Sequence, residues 1–248
     1  MPRSICSFIF LLIFAPTMTQ AAKIPANEYS LGDGRGYINI WPEKDEAQAF
    51  LIHNDGPNGA TCSLKGTLRG NKGVVHSPYS TASCLLSITQ TGLLSVSVKR
   101  EENSPSCSAW CGPRVWFEGT YSVPPKGCYY MQIRKKTRQM LGMIEKKELD
   151  AARALSNKLL SDCATELAYP AKIYLTNTLA MISAEKGENA RCLEYAHRVQ
   201  KQIPVRDDGQ PAEDLLPAEH AFAMEQRAKA DALSERCSDE KSRNNDAS

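Results

Sequence analysis

The spacing of apolar residues divides this chain into two parts. From residue 31 to residue 127 the apolar residues form short runs or alternate with polar ones, and breaks rich in glycine separate them. The segment 62–68 alternates in this way, which is the period of a half-buried strand. About seven short strands with turns between them predict a small antiparallel β-sandwich or barrel. The clearest predicted strands cover residues 37–41, 49–53, 62–68, 84–88, 93–98 and 115–121.

After Cys128 the apolar period becomes that of helices, and glycine almost disappears. Pro170 suits the first turn of one helix, and Ile203-Pro204 ends another. The whole chain is therefore predicted to be α+β, with the strands first and an all-α part after them. The predicted helices cover residues 129–146, 149–162, 170–185, 190–202 and 213–236.

The helical part contains an apparent internal repeat. The residues 141–144 recur 38 positions later as residues 179–182, and Ala152 meets Ala190 at the same offset. Two helices repeated at this length are typical of a helical solenoid. The second copy resembles a tetratricopeptide repeat. We therefore predict a tetratricopeptide-like domain of helical hairpins, with an ordinary helical bundle as the alternative.

The N-terminus has the pattern of a secretory signal peptide. Arg3 precedes an apolar run that is too short to span a bilayer, and small residues follow it. We predict cleavage after Ala21, with a retained anchor as the alternative. The predicted division is then a signal peptide at 1–21, a disulfide-stapled β-domain at 22–128, a helical domain at 129–237 and a disordered tail at 238–248.

Removal of the leader leaves an even number of cysteines. In an exported chain this favours disulfides over metal binding or redox catalysis, and no Cys-x-x-Cys pair is present. The predicted location is an oxidising compartment, the bacterial periplasm. A bridge from Cys62 to Cys84 would join two strands, and we expect Cys163 to bond Cys192, with Cys237 as the rival partner. The disulfide candidates are Cys62, Cys84, Cys107, Cys111, Cys128, Cys163, Cys192 and Cys237.

Charge and motif content indicate binding rather than catalysis. Without the leader, 29 basic residues face 28 acidic ones, so the net charge of +1 implies no nucleic-acid partner. The basic cluster 134–138 is interpreted as a solvated helix face. The four histidines are scattered, and no hydrolase, metalloprotease or phosphate-loop motif occurs. We therefore predict a protein that is not an enzyme, with no cofactor, no metal and no membrane contact after leader removal.

Four segments of the first part carry a resemblance to a known family: 62–66, 84–88, 111–114 and 117–121. The most specific piece is Cys-Gly-x-Arg followed by an aromatic strand and Gly-x-Tyr. Over residues 58–128 the chain resembles small periplasmic β-domains found in, or near, bacterial lysozyme-inhibitor proteins. This resemblance implies a protein partner, namely a muralytic enzyme or a toxin.

The candidate recognition surface consists of polar and aromatic residues in this region, which are the types that dominate binding hot spots. The alternative is that the aromatics are core and that Arg114 and Glu118 form a structural ion pair. The candidates are Trp110, Arg114, Trp116, Glu118 and Tyr121.

Two functions follow. The first is an inhibitor or immunity-type protein whose β-domain blocks a cell-wall-degrading enzyme such as a lysozyme. The alternative is a periplasmic interaction module or scaffold that holds a partner in the groove of the helical repeat.

Overall fold

A computed structural model describes residues 23–56, 60–76, 83–102, 104–112, 115–206 and 217–246. The predicted signal peptide lies outside these ranges. Eight antiparallel strands form the first part of the described chain, each hydrogen-bonded to the next, and β1 pairs with β8 to close a barrel. The strands are β1 Asn27–Ser30, β2 Gly36–Pro42, β3 Gln48–Asp55, β4 Thr61–Arg69, β5 Lys72–His76, β6 Ser83–Gly92, β7 Ser95–Arg100 and β8 Gly119–Ser122.

Alternate residues of the strands point into the barrel and form its core, as the two-residue period requires. The largest of these buried side chains are Tyr29, Ile38, Ile40, Phe50, Ile52, Leu64, Leu68, Leu86, Ile88 and Tyr121. The prediction of a sandwich or barrel of about seven strands is corrected to a closed barrel of eight. Strands β1 and β5 were missed because the first is mostly polar and the second has only two apolar side chains, Val74 and Val75.

Five helices follow the barrel in the described part of the chain, and α3 packs against three of the others. The helices are α1 Tyr130–Glu145, α2 Leu149–Asp162, α3 Tyr169–Glu185, α4 Asn189–Gln202 and α5 Pro217–Asp246. Side chains are buried on every face of α3, which packs against α2, α4 and α5. Helix α5 continues to Asp246, where the sequence predicted a disordered tail from Ser238. Within the described part of the chain, no helix is long and apolar enough to cross a membrane.

The prediction of a helical-repeat domain is wrong. Residues matched at the offset of 38 have different environments: Leu141 is exposed where Leu179 is buried, and Ala152 is buried where Ala190 is exposed. The matched residues therefore do not occupy equivalent positions in a stack. Helices α2, α4 and α5 each pack against α3, and α1 packs against α2. The helical repeat on which the scaffold alternative depended is not shown among the described residues.

All eight predicted cysteines are in disulfides, which confirms the disulfide prediction and is consistent with an oxidising environment. The expected Cys163–Cys192 bond is wrong. The two helices of a hairpin run antiparallel, so the residue before the first helix lies beside the residue after the second. Cys128 precedes α1 and Cys163 follows α2. Cys192 on α4 is bonded to Cys237 on α5, which was the rival partner. The suggested bridge from Cys62 to Cys84 is also wrong. The observed pairs are Cys62–Cys111, Cys84–Cys107, Cys128–Cys163 and Cys192–Cys237.

The barrel and the helices meet at the β1–β2 turn. The backbone nitrogen of Asp33 donates a hydrogen bond of 2.8 Å to the carbonyl oxygen of Thr165 in the α2–α3 connection. The backbone nitrogen of Tyr130, at the start of α1, donates to the Glu28 carboxylate at 2.6 Å. The β1–β2 turn and the strand β1 that leads into it therefore contact two parts of the helical region. The predicted domain boundaries themselves stay predictions.

Candidate functional site

The connection between β7 and β8 is held to the barrel by two disulfides. It contains a short 3₁₀ helix, Pro105–Trp110. Cys107 of this helix is bonded to Cys84 on β6, and Cys111 just after it is bonded to Cys62 on β4. On the chain-entropy model, each bond stabilises the fold by roughly 3–4 kcal/mol. We call residues 101–118 the stapled loop.

A buried polar pair fixes the end of the stapled loop. Asn54, on β3, donates from Nδ2 to the carbonyl oxygen of Trp116 at 2.6 Å and to the Tyr121 hydroxyl at 3.0 Å. The Tyr121 hydroxyl in turn donates to the carbonyl oxygen of Phe117 at 2.6 Å. Gly36 gives Asn54 its space, since an added β-carbon there would lie 2.3 Å from Asn54 Oδ1. The backbone of residues 116–117 is therefore anchored from inside the barrel.

Burial also sets the protonation state of this anchor. Desolvation raises the pKa of Tyr121 far above its ordinary value, and the hydrogen bond with Asn54 offsets only part of that rise. The hydroxyl therefore stays protonated and remains a donor to the Phe117 carbonyl throughout the neutral range.

Trp116 projects outward from this fixed backbone. Its side chain is 77% exposed, although Val115 and Phe117 on either side are both buried. Next to it, the Glu118 carboxylate accepts a hydrogen bond of 3.0 Å from the backbone nitrogen of Arg100. The Arg100 guanidinium lies 3.7 Å from the same carboxylate oxygen. The result is a large aromatic side chain presented to solvent beside an exposed ion pair.

The five candidate recognition residues have different positions in the fold. Trp116 and Glu118 are exposed on the stapled loop, and Trp110 is half-buried against the barrel core. Tyr121 is fully buried and is core, as the alternative interpretation held. Arg114 lies outside the described residues, so its predicted pairing with Glu118 stays untested, and Glu118 pairs with Arg100.

Sequence reasoning missed Asn54, which lies just beyond the predicted strand 49–53. Its contacts join residues 62 and 67 positions apart in the chain, so no local spacing reveals them. A polar residue at a position of β3 that continues the inward alternation was the available signal. Among the described residues, no His, Cys, Asp and Glu side chains are grouped as a metal site requires.

The stapled loop thus presents an indole to solvent from a backbone that two disulfides and Asn54 tie to the barrel. Comparison with known proteins adds no family to this geometry: no protein-family model, no curated protein and no solved structure matches the chain.

Proposed function

We propose that this protein is an exported periplasmic binding protein that inhibits a cell-wall-degrading enzyme such as a lysozyme, and that the stapled loop contacts the enzyme. One observation carries the proposal. Trp116 is 77% exposed on a backbone that two disulfides and Asn54 hold in place. The sequence resemblance over residues 58–128 to domains of lysozyme-inhibitor proteins supports the choice of partner.

The energetics of association favour such a loop. Tryptophan is among the residues most enriched at binding hot spots, because it buries a large apolar area at low cost in side-chain entropy. A loop that is already fixed loses little further freedom on binding, so more of the contact energy appears as affinity. Burial of the exposed Trp116 indole against a partner would remove a large apolar surface from water, which makes Trp116 the natural anchor.

The compartment belongs to the same proposal. Four disulfides require an oxidising environment. Together with the leader pattern at residues 1–21, this supports export to the periplasm, where enzymes that cleave the cell wall act. The inhibitor needs no catalytic residue of its own, since blocking a cleft is a matter of shape and burial.

The test is inhibition of a panel of muralytic enzymes by the purified protein at near-stoichiometric ratios. Slowing of one enzyme is the expected result, and Trp116→Ala should weaken that inhibition roughly 30-fold, which corresponds to about 2 kcal/mol at a hot spot. Leu93→Ala is the matched control. Leu93 is 90% exposed at the β6–β7 turn, beyond the opposite end of β8, and its loss should leave inhibition unchanged. Full activity of every enzyme would refute the proposal.

A further inference from the structure

A separate cleft of about 310 Å³ lies where the barrel meets the helices. One wall is α1, the second is the α2–α3 connection with the first turn of α3, and the third is the β1–β2 turn. Clefts between structural units are common sites for small molecules, and this volume is at the lower end of their range. The lining residues are Gly34, Tyr130, Ile133, Arg134, Thr137, Arg138, Glu166, Leu167, Ala168 and Ala171.

The α1 wall carries two arginines one turn apart, Arg134 and Arg138. The Arg134 guanidinium lies over the Tyr130 ring at 5.7 Å, and that ring stacks on Tyr37 of the barrel at 4.7 Å. In the part of the chain that the structure describes, neither arginine has a carboxylate within salt-bridge distance. Two guanidinium groups without a partner carboxylate, on one face of a helix, form a site for a carboxylate ligand.

The opposite wall offers the complementary charge. Glu166 accepts a hydrogen bond at Oε1 from Thr165, but its Oε2 is shielded from solvent and has no donor among the described residues. A shielded carboxylate oxygen without a donor destabilises the fold unless a ligand supplies one. Between the two walls the floor is apolar, formed by Ile133, Leu167 and Ala171.

We propose that this cleft binds a small zwitterion of the amino-acid or short-peptide class. The ligand's carboxylate is held by Arg134 and Arg138, its ammonium group donates to Glu166, and its short side chain contacts the apolar floor. Phosphate is disfavoured, because a dianion would lie against Glu166 with nothing to satisfy the shielded oxygen. This site is distinct from the stapled loop and does not depend on the function proposed for it.

The probe is the dipeptide L-alanyl-L-alanine, titrated into the ¹⁵N-labelled protein and followed by chemical shifts. A ligand of this size should bind with a Kd on the order of 1 mM, with shifts confined to α1 and the α2–α3 connection. Arg134→Gln and Arg138→Gln should each weaken binding at least about 10-fold, as expected for loss of a charge-assisted hydrogen bond. Lys135→Gln is the matched control, because it removes the same charge from an exposed position of α1 that does not line the cleft.

Two derivatives of the probe test the two charges. The C-terminal amide should lose binding because the arginines lose their partner, and the N-acetyl derivative should bind several-fold more weakly because Glu166 loses its donor. If Lys135→Gln weakens binding of the dipeptide as much as Arg134→Gln does, the attraction is one of general charge and the proposal is overturned. The proposal would also be overturned if inorganic phosphate binds at the two arginines and the dipeptide does not.

Discussion

Replacement of Gly34 by alanine tests whether the β1–β2 turn holds the barrel against the helices. Gly34 has a φ of +72°, and an added β-carbon would lie 2.1 Å from the backbone nitrogen of Ala168 and 2.7 Å from the carbonyl oxygen of Glu166. Both neighbours are backbone atoms, so no side-chain rotation relieves the overlap. The turn must therefore move away from the α2–α3 connection, and the hydrogen bond of 2.8 Å from Asp33 to Thr165 is lost with that movement.

Gly32, in the same turn, provides the matched control. Its φ is +81°, but no atom lies within 4 Å of an added β-carbon. Gly32→Ala thus carries backbone strain alone, about 1–2 kcal/mol. Gly34→Ala has the same strain, and it also loses a hydrogen bond of about 1 kcal/mol and the packing between the turn and the α2–α3 connection. We expect it to lower the free energy of unfolding by roughly 3 kcal/mol or more, with a fall in Tm of about 2–4 °C for each kcal/mol.

Urea unfolding followed by tryptophan fluorescence measures this difference. Limited proteolysis adds a local readout, because separation of the two parts should speed cleavage near Cys128 in Gly34→Ala and leave it unchanged in Gly32→Ala. Equal free energies of unfolding and equal cleavage rates for the two variants would refute the argument that this turn holds the junction.

Two further predictions concern buried polar groups. Tyr121→Phe removes a hydroxyl that donates to a backbone carbonyl and accepts from an amide, so urea denaturation should show a loss of about 2–3 kcal/mol. Tyr195→Phe, whose hydroxyl has no hydrogen-bond partner among the described residues, should change stability by less than about 0.5 kcal/mol, and equal losses would contradict the prediction. Desolvation raises the pKa of Glu28 above its ordinary 4.5, a rise that the hydrogen bond from Tyr130 only partly offsets and to which the nearby charge of Glu166 adds. The stability this carboxyl contributes is full below the unfolded pKa and is lost as the pH rises through the folded one. Glu28→Gln should therefore gain stability relative to the wild type as the pH rises above the ordinary value of 4.5, and a difference that is constant with pH would contradict this.

The helices were predictable because their signals are local. The predicted helices at 149–162, 170–185 and 190–202 differ from the observed ones by at most one residue at either end. Capping and breaking residues such as Pro170 lie within a turn of the boundary they mark, so a short window contains the whole signal. The even cysteine count likewise indicated disulfides without any knowledge of which residues pair.

The pairings and the anchor of the stapled loop were not predictable in this way. The apolar residues Val115, Trp116 and Phe117 were assigned to a strand over residues 115–121, but β8 begins only at Gly119. The backbone there is instead held by a hydrogen bond from Asn54, which is 62 residues away along the chain from Trp116. Leu94 shows the same limit: it belongs to the predicted strand 93–98, where alternation would place it on one face with Val96 and Val98, yet it is exposed in a turn.

The order of the disulfides along the chain has a consequence for oxidative folding. Cys84 and Cys107 lie between Cys62 and Cys111 in the sequence, so the two bridges of the barrel are nested. An oxidant that joins cysteines in order of synthesis would link Cys62 to Cys84 and Cys107 to Cys111, and both links are non-native. The four cysteines of the helical part, in contrast, pair consecutively. Correct formation of the stapled loop therefore requires either that the barrel folds before its thiols are oxidised or that a disulfide isomerase exchanges the first bonds, whereas the helical part can be oxidised as it emerges.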